Sequence, residues 1–235
     1  MADLFSKGVA WRSFKDLEEE FIEALNYVPL RPIHDRVWSH RFGRTLDEVG
    51  SAVGSFFEAA VKEGHLLGGH EISQKIINGT LDQPNIAHFC KIVEPTYKLS
   101  TATVRVTDGA FQYGDLTPFA VFSDMVDSKP HSPWWWDAYN NYKHHRYSDP
   151  GTATLRNTLE SLAGLFLLNA LHKENQEVLV ENGIIRGLWP EAPKMMKNRL
   201  SKSNFGVTGM TLEARSDIFT HQFRIDNRNQ IQVSS

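Results

Sequence analysis

Apolar side chains recur every three or four residues along much of this 235-residue chain, and that spacing constrains its fold more than any other feature. The stretch ATLRNTLESLAGLFLLNAL shows it best, because it places a stripe of large side chains on one side of a helix: Leu155, Leu159, Leu162, Phe166 and Ala170. It is the most apolar helix that the sequence predicts. Such a face is stable in water only when other elements cover it, so the chain must fold around a shared core.

The same spacing predicts five more helices. Their approximate limits are residues 14–28, 39–61, 71–77, 85–95 and 132–147, and the most apolar helix begins at Gly151 or Thr152. Asn85 and Ser132 are suitable N-caps, and Pro133 suits the first position of a helix. Gly64 follows the second helix, where a glycine commonly ends one. These helices predict a single bundle.

Two segments break the helical spacing. TATVRVTDGAFQYG alternates β-branched and polar residues around Asp108 and Gly109, which is typical of a hairpin. Near the end, SDIFTHQFRID and NQIQV predict a second hairpin that turns at residues 226–228. We therefore predict a mainly α protein: a helical bundle with a small β-hairpin elaboration and an irregular, partly β C-terminal tail. We expect one domain, residues 1–235, with a helical core at about 11–180 and a C-terminal extension at about 181–235.

Composition excludes several functional classes. With a net charge of -3, the chain as a whole lacks the excess of positive charge that attracts nucleic acid, so nucleic-acid binding would need a local basic patch. The one cysteine, Cys90, excludes internal disulfides and lies in an apolar stretch, which favours packing. His65 and His70 have no third ligand beside them, so we expect no metal site and no cofactor. Without a signal-like or membrane-length apolar run, we expect a cytoplasmic protein with no membrane contact.

The candidate site lies in WWWDAYNNYKHHRY, residues 134–147. On a helical wheel the rings cover most of the circumference, and the polar residues fall on one arc: Asp137, Asn140, Asn141 and His144. Asp137 stands where it can orient His144 through a neighbour or water, and Lys143 with Arg146 can attract a phosphate or carboxylate. The candidate catalytic residues are His144, His145 and Arg146. The candidate ligand-binding residues are Asp137, Asn140, Asn141, Lys143 and Tyr147.

The alternative for this segment is structural: the polar arc faces solvent while the rings form the core. Three adjacent indoles point about 100° apart, so we expect at least two of them, from Trp134, Trp135 and Trp136, to be mostly buried. Whether Asp137, Asn141 and His144 line a concave surface or face open solvent decides between a site and a solvated arc.

The run PWWWDAYNNYKHHR, followed by ATLRNTLESLAGLFLLN and preceded by TPFAVF, resembles a group of uncharacterised bacterial helical proteins with a Pro-Trp-Trp-x-x-Tyr-Asn-x-x-Lys-His-x-Arg signature. The resemblance covers roughly residues 11–168. These proteins are similar in turn to the HEPN superfamily, helical bundles that often dimerise and include metal-independent ribonucleases.

The HEPN motif is an arginine followed, after four to six residues, by a histidine. This chain departs from it, because no arginine stands at that distance before His144 or His145; Asn140 occupies one such position. His145 and Tyr147 partly match the His-x-Tyr variant. Arg215 and His221 have the required spacing, but in a β-like segment where a chance match carries no weight.

Three functions are therefore weighed. The first is a HEPN-like interaction or assembly module of a bacterial defence or stress system, with a homodimer or protein partner and the aromatic helix as core or dimer seam. The second is a metal-independent HEPN-like endoribonuclease with His144 as general acid or base and Lys143 or Arg146 stabilising charge on RNA. The third is a sensor of a nucleotide or other small anionic ligand, with the Trp helix as its wall.

Overall fold

The computed structural model describes residues 5, 8–62, 64, 70–107, 113–126, 131–187, 210–225 and 231–233. Over these residues the chain is mainly helical, which confirms the predicted fold class. The α-helices in this part are α1 Val9–Leu25, α2 His40–Lys62, α3 His70–Ile77, α4 Ile86–Tyr97, α5 Phe122–Val126, α6 Trp134–His145, α7 Leu155–Leu171 and α8 Lys173–Glu181. Short 3-10 turns occupy Pro32–His34 and Pro150–Thr152.

A small antiparallel sheet accompanies the helices. Its strands are β1 Arg105–Val106, β2 Ile185–Gly187, β3 Met210–Arg215, β4 Phe219–Ile225 and β5 Ile231–Val233. The order is β1-β4-β3-β2, and β5 also pairs with β4. The β4–β5 pairing confirms the predicted second hairpin, whose turn at residues 226–228 lies outside the described residues.

In the first predicted hairpin, Val104 and Leu116 form an antiparallel bridge, whereas Asp108 and Gly109 fall outside the described part of the chain. β1 itself pairs with β4, far along the sequence. The sequence analysis missed β2 and β3, although β3 carries an alternating pattern in which Leu212 and Ala214 are buried.

Helix α7 lies at the centre of the molecule. Fourteen of its seventeen residues are buried, so the predicted one-sided stripe understates its burial. It packs against α1, α2, α6, α8 and β4, and Phe166 contacts the rings of both Phe14 and Phe219 at 5.7 Å between centroids. One continuous hydrophobic core therefore runs from the first helix to the C-terminal strands.

The capping residues in the sequence predict some helix ends correctly and others incorrectly. Asn85 caps α4, accepting from the His88 backbone while the His88 ring accepts from the Asn85 backbone, and Gly64 takes the left-handed conformation just past α2. Three starts need correction, and the first is that of α1, which begins at Val9 rather than near Phe14. The last predicted helix, α7, begins at Leu155 with Thr154 as its cap, because Pro150–Thr152 forms a separate 3-10 turn. Helices α5 and α8 were not predicted.

The third correction concerns α6, which starts at Trp134 rather than at Pro133. Its N-cap is Pro133, whose ring has no polar atom to accept from a backbone N–H, and Ser132 donates its hydroxyl to the carboxylate of Asp137 instead. Two backbone N–H groups anchor this first turn, because the Pro133 carbonyl accepts from Trp136 at 2.8 Å and from Asp137 at 3.0 Å.

Close antiparallel packing against α2 fixes the orientation of α6. The ring of Tyr142 lies on Gly43 and the ring of Tyr139 lies on Gly50, where an added Cβ would come within 2.2 Å and 2.3 Å of the rings. Only glycine leaves room for this contact. The tyrosine face of α6 is thereby buried, and the face that carries Asp137 and Asn141 is turned away from α2.

Candidate ligand-binding cleft

A cleft of about 660 Å³ opens beside the first turns of α6. It is bounded by α6, by the segments that precede it and by the start of α7. Its polar lining comes from Asp124, His131, Ser132, Asp137, Asn141, Thr152 and Asn157. Trp134 lies at the same opening with 80% of its surface exposed.

The helical repeat explains which residues of α6 reach this cleft. Trp134, Asp137 and Asn141 stand at positions i, i+3 and i+7 and so share one face. Trp135 occupies the opposite, fully buried face, where its indole N–H donates to the carbonyl of Pro118 at 2.8 Å. Trp136 is partly buried beside Tyr139. The expectation of at least two mostly buried indoles is thus met by Trp135 and Trp136.

Hydrogen bonds within the cleft hold its side chains in place. Asn141 donates from Nδ2 to Asp149 at 3.0 Å, and Asn157 donates from Nδ2 to the backbone carbonyl of Thr152 at 2.8 Å. Asp137 accepts from Ser132. The hydroxyl oxygen of Thr152 is buried and has no hydrogen-bond partner among the described residues. A buried hydroxyl without a partner costs folding free energy.

The two candidate cations of α6 do not flank the cleft. Lys143 donates to the hydroxyl of Tyr139 at 3.1 Å and lies 5.4 Å from the centre of that ring, and this hydrogen bond raises the pKa of Lys143. Arg146 donates to Asp47 at 3.2 Å. Both side chains therefore lie over the α2–α6 contact, where they stabilise helix packing.

The candidate catalytic histidines stand apart as well. His144 and His145 are exposed, with 6.5 Å between their ring centroids, and neither is among the described residues that line the cleft. Asn140 is partly buried and also lies outside the lining, and Tyr147 is 97% exposed. The structure thus brings together Asp137 and Asn141 and leaves the other six candidates elsewhere.

Sequence reasoning missed most of the cleft, namely Asp124, His131, Ser132, Thr152 and Asn157. A helical wheel treats one helix alone, so it cannot indicate which loops approach that helix. Ser132 and Thr152 were considered only as helix caps. The available signal was the density of polar residues in the segments on either side of α6.

Two buried groups elsewhere have shifted pKa values because of their surroundings. His221 is 2% exposed, and burial lowers its pKa to about 4, although its Nδ1 bonds the carbonyl of Thr103 at 2.7 Å. Burial, followed by the nearby charge of Glu94, raises the pKa of Cys90 to about 12. A thiol held protonated in the core is a packing group rather than a nucleophile.

Within the described residues no group of three His, Cys, Asp or Glu side chains is placed to hold a metal ion. Of the pair noted in the sequence, His65 and the side chain of His70 lie outside them. The helices of this part of the chain also include none with the length and apolar content of a membrane span. Comparison with protein-family models, curated proteins and solved structures finds no match.

Proposed function

We propose that this protein is a binding module for a small polar molecule held in the cleft beside α6. The observation that carries the proposal is Trp134, an indole 80% exposed at the mouth of a 660 Å³ cleft that seven polar side chains line among the described residues. Ligand sites combine an aromatic surface with a few polar groups that fix orientation. An exposed indole at such a position offers a large contact area at low entropic cost.

This proposal develops the sensor hypothesis and changes the expected ligand. The anionic ligand was inferred from Lys143 and Arg146, and both side chains are engaged with Tyr139 and Asp47. The cleft instead presents the carboxylates of Asp124 and Asp137. A nucleotide phosphate would meet repulsion there. The proposed ligand is therefore not an anion.

A thermal-shift screen tests this function. A compound present at ten times its Kd stabilises the folded state by about 1.4 kcal/mol, which raises the melting temperature measurably. We expect such compounds for the wild type, and we expect Trp134→Ala to lose the shift. Tyr147→Ala is the matched control, because Tyr147 is an equally exposed ring outside the cleft. Equal shifts in wild type and Trp134→Ala would place the binding elsewhere.

A second candidate, self-assembly through the α1–α2 connection, rests on a separate observation. Four large apolar side chains of this connection are exposed: Tyr27 by 73%, Ile33 by 83%, Val37 by 37% and Trp38 by 46%. Exposed apolar surface of this kind is typical of protein interfaces. Analytical ultracentrifugation should show a concentration-dependent dimer that Ile33→Lys converts to monomer. A wild type that stays monomeric at high concentration rejects this candidate.

The ribonuclease hypothesis stays a prediction. It requires that the exposed His144 act on RNA bound at the surface rather than in the cleft. Cleavage of a single-stranded RNA by wild type, lost in His144→Ala without a change in melting temperature, would support it. A wild type that does not cleave RNA would refute the ribonuclease hypothesis.

A further inference from the structure

We propose that the ligand of the cleft carries a primary ammonium group, an inference that rests on the proposed binding function. The charge of the lining is the first argument. Asp124 and Asp137 are carboxylates, and the described lining contains no lysine or arginine. Two carboxylates that line one cleft favour a cation over an anion there.

Hydrogen-bonding capacity gives the second argument. Asn141 and Asn157 each use an amide N–H within the protein, so their side-chain carbonyl oxygens remain as acceptors without a donor in the described part of the chain. These oxygens and the carboxylates form a lining rich in acceptors. An ammonium group supplies three N–H donors and a positive charge, which matches that lining.

The indole of Trp134 is the third, independent observation. Its ring is exposed at the same opening, on the same face of α6 as Asp137. Tryptophan is the side chain whose face attracts cations best. A ligand with its ammonium group among the oxygens and its organic part against the indole uses both features. A free amine and a lysine side chain share this chemistry.

Isothermal titration of the whole protein with a matched set of probes tests this inference. The probes are benzylammonium, its neutral counterpart benzyl alcohol, its anionic counterpart benzoate, and benzyltrimethylammonium, which keeps the charge but lacks N–H donors. We expect benzylammonium to bind at least tenfold more tightly than the other three. Nα-acetyl-lysine methylamide, added separately, distinguishes a lysine side chain from a free amine, and binding of either supports the proposal.

Asp137→Asn and Asp124→Asn supply the residue test, with Asp16→Asn, at an exposed carboxylate of α1 outside the lining, as the control. Both lining variants should weaken benzylammonium binding at least tenfold, and the control should change it less than threefold. If benzyl alcohol or benzoate bound more tightly than benzylammonium, and Trp134→Ala weakened that binding, the ammonium inference would be overturned. The proposed binding function would still stand. Binding of no probe, together with no hit in the thermal-shift screen, would overturn both.

Discussion

His221 shows at the scale of one residue how burial sets the chemistry of a side chain. Its imidazole is neutral in the folded protein, with a pKa lowered from 6.5 to about 4 by burial. In the unfolded chain the ring takes up a proton near pH 6.5, so between pH 6.5 and 4 the unfolded state binds more protons. Stability is therefore lost as pH falls through this window, by up to about 1.4 kcal/mol for each pH unit.

Urea unfolding of wild type and His221→Gln at several pH values from 7 to 4 measures this effect. The glutamine keeps an N–H donor for the carbonyl of Thr103 but does not titrate. The wild type should lose stability more steeply than the variant over that range. Parallel profiles would show that burial does not lower the pKa of His221.

A second residue-scale contrast comes from two adjacent indoles of α6. Trp135 is completely buried against Phe119, whereas Trp134 is 80% exposed. Trp135→Ala should cost about 3–5 kcal/mol of unfolding free energy, because it leaves a large cavity and removes the bond to Pro118. Trp134→Ala should cost less than about 0.5 kcal/mol. Chemical denaturation measures both variants. Similar losses of unfolding free energy for Trp134→Ala and Trp135→Ala would mean that α6 does not bury Trp135 in preference to Trp134.

At the scale of elements, the pairing of α2 with α6 depends on two glycines. Gly50→Ala would push a methyl group into the ring of Tyr139, at a cost of about 1–3 kcal/mol. Gly54, one turn further on, has its nearest neighbour, Trp136, 3.9 Å from an added Cβ. Gly54→Ala is therefore the matched control and should be neutral or stabilising by up to about 1 kcal/mol. If Gly50→Ala and Gly54→Ala lowered the melting temperature equally, the close contact between Gly50 and the ring of Tyr139 would be refuted.

The existence of most helices could be predicted from apolar spacing, because spacing reports the face that each helix buries. Helix α8 was not predicted, because its apolar residues Val178, Leu179 and Val180 are consecutive and form no stripe at helical spacing. Only Asp137 and Asn141 of the cleft were predicted. The rest of its lining comes from segments that tertiary contacts bring to α6, and a single sequence does not encode those contacts in local spacing.

At the scale of the whole molecule, Glu18 joins the first helix to the C-terminal strands. Its buried carboxylate accepts from Lys15 at 2.6 Å, from the hydroxyl of Ser216 at 2.5 Å and from the backbone N–H of Ile218 at 3.1 Å. Ser216 and Ile218 lie in the turn between β3 and β4. Glu18, together with Lys15, which also donates to Asp217 at 2.7 Å, therefore links α1 to the turn between β3 and β4.

Glu18→Ala should lower the free energy of unfolding by about 3 kcal/mol, because it leaves a buried hydroxyl and a buried N–H without an acceptor. Glu19→Ala, which alters an exposed neighbour, should change it by less than about 0.5 kcal/mol. Urea denaturation followed by circular dichroism compares them. A loss for Glu18→Ala no larger than that for Glu19→Ala would mean that this link contributes nothing to stability.

The central claim, that the cleft beside α6 binds a small molecule, is tested most directly by the indole N–H signals of the six tryptophans. These signals would be followed by nuclear magnetic resonance during titration with cationic, neutral and anionic fragments, and Trp134→Phe assigns the key signal. We expect at least one fragment to shift the Trp134 signal to saturation while those of the core residues Trp11 and Trp135 stay in place. A Trp134 signal that no fragment shifts, or binding that shifts Trp38 instead, would contradict the claim.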